Sequence, residues 1–110
     1  PYLQAADVLV SDASSVIFLY LALDRPIVLV TNPDRRKVGH FDPNGIEWRW
    51  RDVGAEVHDV EALPAAVSAA LDAPTSGEER RAHYRRELFG DYTDGRAAER
   101  MAQKITELAL

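Results

Sequence analysis

Cysteine is absent from this sequence, which excludes disulfides, thiolate metal sites and cysteine nucleophiles. The absence fits a cytoplasmic protein. Histidine is scarce as well: His40, His58 and His83 are scattered without metal-ligand spacing, so no metal site is expected. No apolar run reaches the roughly 20 residues that a bilayer span requires, and no segment is expected to insert into a membrane. Positive charge is in the minority, with 13 Lys and Arg against 18 Asp and Glu and a formal net charge of −5. That balance argues against a nucleic-acid partner held by a broad basic field. Internal repeats and low-complexity segments are also missing.

What remains is the composition of one globular core: 110 residues, 46% hydrophobic and 28% charged. Val8-Leu9-Val10 reads as a strand buried on both faces, ending at Ser11-Asp12. Ser14 and Ser15 are N-cap candidates for a buried helix running through Leu23 and stopped by Asp24-Arg25-Pro26. Ile27-Val28-Leu29-Val30 reads as a second buried strand. The three elements predict a right-handed βαβ unit and an α/β fold, a parallel sheet flanked by helices.

Residues 31–52 read as a long loop with a short irregular strand near residues 46–50, and loops of this length are usually functional. Residues 54–57 predict a short strand. Asp59 is expected to cap a helix with Val60, Leu63, Val67 and Leu71 on one face, provided that Pro64 falls in its first turn. A linker follows at residues 73–77, then a charged helix over residues 78–88 with a thin apolar face of Tyr84 and Leu88. The last helix carries Ala98, Met101, Ile105 and Leu108 on one stripe. Pro1-Tyr2-Leu3-Gln4-Ala5-Ala6 reads as the tail of a helix that opens onto the first strand. With no initiating methionine, residues 1–110 are expected to be a single fragment of a longer protein.

Asp12-Ala13-Ser14-Ser15 is the segment with the most chemistry. It lies where a parallel strand ends and a helix begins, the place at which open α/β sheets bind anions through free N–H groups. Asp12, Ser14 and Ser15 are therefore candidate phosphate-binding residues, and an ordinary helix cap is the competing reading. His40, in the long loop, could approach a ligand; His58 and His83 read as structural. Trp48-x-Trp50 would put both indoles on one side of an extended chain, packing the loop onto the sheet in preference to stacking on a sugar or base. Basic clusters occur at Arg35, Arg36 and Lys37, at Arg49 and Arg51, and at Arg80, Arg81, Arg85 and Arg86. The last is expected to be a solvated helix face paired with Glu78, Glu79 and Glu87, with anionic lipid or polymer as the alternative.

The run Ala6-Asp7-Val8-Leu9-Val10-Ser11-Asp12-Ala13-Ser14-Ser15-Val16-Ile17-Phe18, followed by residues 21–26 and an apolar strand, resembles the signature of the CDP-glycerol glycerophosphotransferase family. Gly45-Ile46-Glu47-Trp48, Gly54-Ala55-Glu56-Val57 and the tail Asp91-Tyr92-Thr93-Asp94-Gly95-Arg96-Ala97-Ala98-Glu99-Arg100 follow that family's order. The resemblance spans almost the whole chain. It implies the C-terminal, Rossmann-like, nucleotide-donor-binding domain of a GT-B transferase that builds wall teichoic acid or a related polymer. By the same resemblance Ser14 and Ser15 would face the donor phosphates, Asp12 would shape the turn, and Asp94 and Gly95 would pack nearby. It implies a CDP-linked donor as substrate and no cofactor or metal. It also implies a polymer acceptor held by an upstream domain, catalytic histidines upstream of this segment, and work at the inner face of the cell membrane with peripheral membrane contact by the parent protein.

One position departs from the pattern: Leu19 stands where relatives carry an acidic residue for the ribose hydroxyls. Two alternatives stay open at this point. A receiver-type module would use Asp12 as phospho-acceptor, and a nucleotide-sugar epimerase or another GT-B relative would share the phosphate-binding turn.

Overall fold

The computed structural model describes residues 1–109. The chain runs α1 (Tyr2–Ala5), β1 (Leu9–Ser11), α2 (Val16–Leu21), β2 (Ile27–Val30), α3 (Ile46–Arg49), β3 (Ala55–Val57), α4 (Leu63–Asp72), α5 (Glu78–Phe89) and α6 (Ala97–Ala109). The three strands form one sheet in the order β1-β2-β3. Both pairings are parallel, with Leu9 opposite Ile27 and Val28 opposite Ala55. An α/β fold was legible because β2 is a continuous apolar run, and only a strand covered on both sides tolerates one.

The burial pattern follows from the two-residue alternation of a strand. Ile27 and Leu29 face one side and join Ile17, Tyr20 and Leu21 of α2, Tyr84 of α5 and Val53 from the turn before β3 in a buried cluster. Val28 points the other way and is equally buried, on the side where α4 packs along β2 and β3. The Tyr20 hydroxyl, at the centre of the core, donates to the Ala6 carbonyl at 3.0 Å, and Arg25 donates to the same carbonyl at 2.6 Å. These bonds fix the approach into β1.

The structure corrects several sequence expectations. Residues 46–49 form a helix, not an irregular strand: Gly45 starts the turn and its carbonyl accepts from Trp48 and Arg49 at 3.0 Å each. Two positions along a helix are separated by about 200° of rotation, so the two indoles diverge. Trp50 stacks on Tyr84 at 4.6 Å and meets Phe18 edge-on in the core, while Trp48 turns to Phe41 at 5.1 Å. Asp59 caps a 3-10 turn rather than a helix, accepting from Glu61 N–H at 3.2 Å. Helix α4 therefore starts at Leu63 with Pro64 in its first turn, and Val60 and Leu71 stay exposed.

The arginines of α5 form the expected solvated face only in part: Arg80 and Arg86 are exposed, but Arg81 and Arg85 turn to Asp24 and not to glutamates along the helix. Arg81 is only 3% exposed and donates to Asp24 Oδ1 (3.2 Å), Ser76 O (2.8 Å) and Pro74 O (2.9 Å). Arg85 also reaches Asp24, and Arg80 reaches Asp52. Asp24 itself holds φ at 52°, a left-handed turn between α2 and β2. The apolar stripe of α6 forms as expected, but Met101, Ile105 and Leu108 are exposed among the described residues.

Gly54 marks the tightest backbone approach in the sheet. Its conformation is ordinary and extended, with φ −143°, yet a Cβ there would lie 2.3 Å from the Ile27 carbonyl oxygen. Gly54→Ala should force β3 away from β2 and destabilise the fold by about 1–3 kcal/mol. Chemical denaturation reads this directly, and an unchanged midpoint would contradict the packing described.

Candidate functional site

The carboxyl ends of β1, β2 and β3 lie side by side because all three strands are parallel. Each end leaves a turn. After β1 the chain crosses residues 12–15 before α2 begins. The N–H groups of Ala13, Ser14 and Ser15 donate to no protein acceptor among the described residues. Successive N–H groups left free in a turn at a strand end are the kind of donors that can bind an anion. Ser14 Oγ accepts from Val16 N–H at 3.4 Å, a long contact, and Ser15 makes no side-chain cap. Ser15 is exposed and Ser14 half-buried, so neither hydroxyl is committed to a strong structural bond.

One guanidinium holds this turn in place. Arg51, with its side chain 12% exposed, lies just beyond α3. Its Nη1 donates to the Asp12 carbonyl at 2.6 Å and, weakly, to the Glu47 carbonyl at 3.4 Å. Its Nη2 donates to Thr31 Oγ1 at 2.6 Å and its Nε to Glu56 Oε2 at 2.9 Å. Thr31 closes the network by donating to Glu56 Oε2 at 2.8 Å. Asp12 follows β1, Thr31 follows β2 and Glu56 lies in β3, so a single side chain ties the three strand ends together. Burial pushes the Glu56 carboxyl up, but hydrogen bonds from Arg51 and Thr31 and the charges of Arg51 and His58 outweigh it. The group ends below the usual carboxylate range.

A cavity of about 310 Å³ opens beside the turn. It is lined by Asp12 and Ala13 after β1, by Asn32, Arg35, Val38, His40 and Phe41 of the segment after β2, and by Glu47 and Trp48 of α3. The Arg35 guanidinium lies 5.8 Å from the Trp48 ring centre and that of Arg51 lies 5.3 Å from it. Of the residues singled out from the sequence, Asp12 and His40 line the cavity, and Ser14 and Ser15 flank it at the turn. Asp94 and Gly95 do not line it: Asp94 accepts from Arg96 N–H at 3.1 Å and from Arg100, inside its own segment. Those bonds hold the Asp94 carboxyl below its usual range. Leu19 is 64% exposed and lines no part of the cavity.

A comparison with protein families matches residues 2–107 to CDP-glycerol:poly(glycerophosphate) glycerophosphotransferase. The chain belongs to this family. No curated protein and no solved structure matches it. Family membership favours a transferase over the receiver and epimerase alternatives, and the matched span contains the β1–α2 turn, Arg51 and every wall of the cavity.

Sequence reading missed Arg51, Thr31 and Glu56 as a unit, since Arg51 binds partners 5, 20 and 39 residues away. The available signal was Thr31 at the end of the most buried strand, a position that must satisfy a hydroxyl in the interior. Arg51→Ala should cost about 2–4 kcal/mol, because it takes the donor from Thr31 Oγ1 and the Asp12 carbonyl and leaves the Glu56 carboxylate without its guanidinium partner. The Glu56 shift also predicts a pH dependence. Its carboxyl binds a proton less readily folded than unfolded, so its stabilisation is present above the ordinary carboxylate range. That stabilisation is lost as pH falls through the lowered value. Melting temperatures measured from pH 7 down to pH 3 should fall more steeply in the wild type than in Glu56→Gln; parallel curves would contradict the network.

Proposed function

We infer that this chain binds the nucleotide donor of a CDP-glycerol-dependent glycerophosphotransferase, as the donor-side part of a GT-B enzyme working on teichoic acid or a related polymer. The observation that carries this reading is the row of free N–H groups at residues 13–15, opening onto a cavity at the carboxyl edge of a parallel sheet. Family membership across residues 2–107 supports it.

On this reading the donor diphosphate lies against the β1–α2 turn. Its oxygens accept from the N–H groups of Ala13, Ser14 and Ser15 and from the Ser14 and Ser15 hydroxyls. Donors fixed before the substrate arrives need no reorganisation as charge builds on the departing nucleotide. In the transfer, an acceptor hydroxyl oxygen attacks the phosphorus that bears glycerol. The new P–O bond forms as the bond from that phosphorus to the bridging oxygen breaks, and CMP leaves with the electron pair. The hydroxyl proton passes to a general base that the family resemblance places upstream of this segment. Asp94 and Gly95 are given no direct part: the Asp94 carboxylate accepts from Arg96 and Arg100, and neither residue lines the cavity. Any peripheral membrane contact belongs to the parent protein.

The test is calorimetric. Ser14→Ala combined with Ser15→Ala should weaken CDP binding by about 1–3 kcal/mol, the loss expected for hydrogen bonds to a charged ligand. Equal affinity in the wild type and the double variant would sink the assignment of the turn.

A further inference from the structure

We propose that the cavity bounded by Asp12, Glu47, Phe41 and Trp48 is a subsite for the hydroxylated, uncharged part of the donor's transferred group, a small polyol, and not for its nucleobase. The inference rests on the donor-binding reading above and extends it by assigning the adjoining space.

The argument begins with electrostatics. The side chains of Asp12 and Glu47 make no hydrogen bond or ion pair among the described residues. Carboxylates only accept, and they repel phosphate oxygens. A ligand group beside them must therefore donate hydrogen bonds and carry no negative charge. Hydroxyl groups on a short carbon chain meet both conditions, and Asn32 adds an amide able to donate or accept. The phosphates belong one step away, at the free N–H groups of residues 13–15, so a group attached to them enters the cavity from the Asp12 side. Arg35 is the guanidinium among the lining residues, and it already lies against the Phe41 and Trp48 rings.

The aromatic wall decides between a polyol and a base. Phe41 and Trp48 meet edge-to-face, with 70° between their planes, so they do not form the parallel slot in which a planar base stacks. Two guanidinium groups, of Arg35 and Arg51, already lie against the Trp48 ring. What the ring offers is an apolar side wall, suited to the C–H groups of a polyol. Size agrees: 310 Å³ lies at the small end of ligand pockets.

Calorimetry on the full chain with two probes, CDP and CDP-glycerol, tests this with Glu47→Gln and Trp48→Ala. Glu47→Gln keeps size and packing while removing the charge, and melting temperatures check that both variants fold. The expected result is unchanged CDP affinity in both variants and CDP-glycerol affinity reduced about tenfold, the scale of one lost charge-assisted hydrogen bond. CDP-glycerol affinity unchanged in Glu47→Gln would overturn the polyol subsite while leaving donor binding intact. Equal losses for CDP and CDP-glycerol in Trp48→Ala would make the cavity a nucleobase subsite and overturn the proposal. Wild-type chain that binds neither probe would overturn both this inference and the function on which it rests.

Discussion

A largely buried arginine is the constraint on which the carboxyl edge of this sheet depends. The strands are only three or four residues long, so few ladder hydrogen bonds resist splaying at their ends. Arg51 supplies what the ladder lacks. It binds the carbonyl after β1, the hydroxyl after β2 and the carboxylate within β3. A charge this well covered is tolerable only when its donors are matched, and a fully matched network in a low-dielectric setting is stiffer than its separate bonds. The turn at residues 12–15, the cavity wall at α3 and the orientation of Trp48 all inherit their positions from it.

The opposite edge of the sheet is secured in the same manner. Arg81 is buried beneath the α2–β2 turn and bound to Asp24 and to two carbonyls of the segment before α5. Asp24 adopts a left-handed conformation that a non-glycine residue disfavours, and its ion pairs with Arg81 and Arg85 offset that strain. Between the two arginines lies a modest core built around Tyr20, Ile17, Leu21, Val28 and Leu29. A sheet of three short strands buries limited apolar area, and polar locks at both edges set its register where hydrophobic packing alone is permissive.

The parts of the fold legible in the sequence were those decided locally. β1 and β2 announced themselves as apolar runs, α2 by its serine caps and Pro26 stop, α4 by Pro64 and its spacing. The β1–α2 turn was legible as a candidate site because its position follows from strand and helix order alone. What stayed hidden was decided by contacts distant in sequence. Residues 46–50 carry no periodicity long enough to separate helix from strand, so the divergence of Trp48 and Trp50 could not be read. The α5 arginines sit among glutamates at helical spacing, which suggests intrahelical pairs, yet Arg81 finds Asp24, 57 positions away, and Arg80 finds Asp52, 28 positions away. Arg51 resembles any loop arginine until its distant partners are in place.

The charge balance of the chain bears on how an acidic protein could hold a diphosphate. Its net charge of −5 offers no long-range attraction, and the best-placed arginine, Arg51, is spent on structure. On the proposed reading, attraction comes from backbone dipoles instead. Three N–H groups fixed by a strand end and a helix start act over short range, where the surrounding acidic surface is screened by salt and solvent. Side-chain cations can swing away or pair with nearby carboxylates, as Lys37 does with Asp34 at 2.7 Å; backbone donors cannot. An anion site built from the main chain therefore constrains the geometry of the turn more tightly than its side chains, and that geometry is what Arg51 maintains. On the proposed reading, binding therefore depends on Arg51 through a single carbonyl at Asp12.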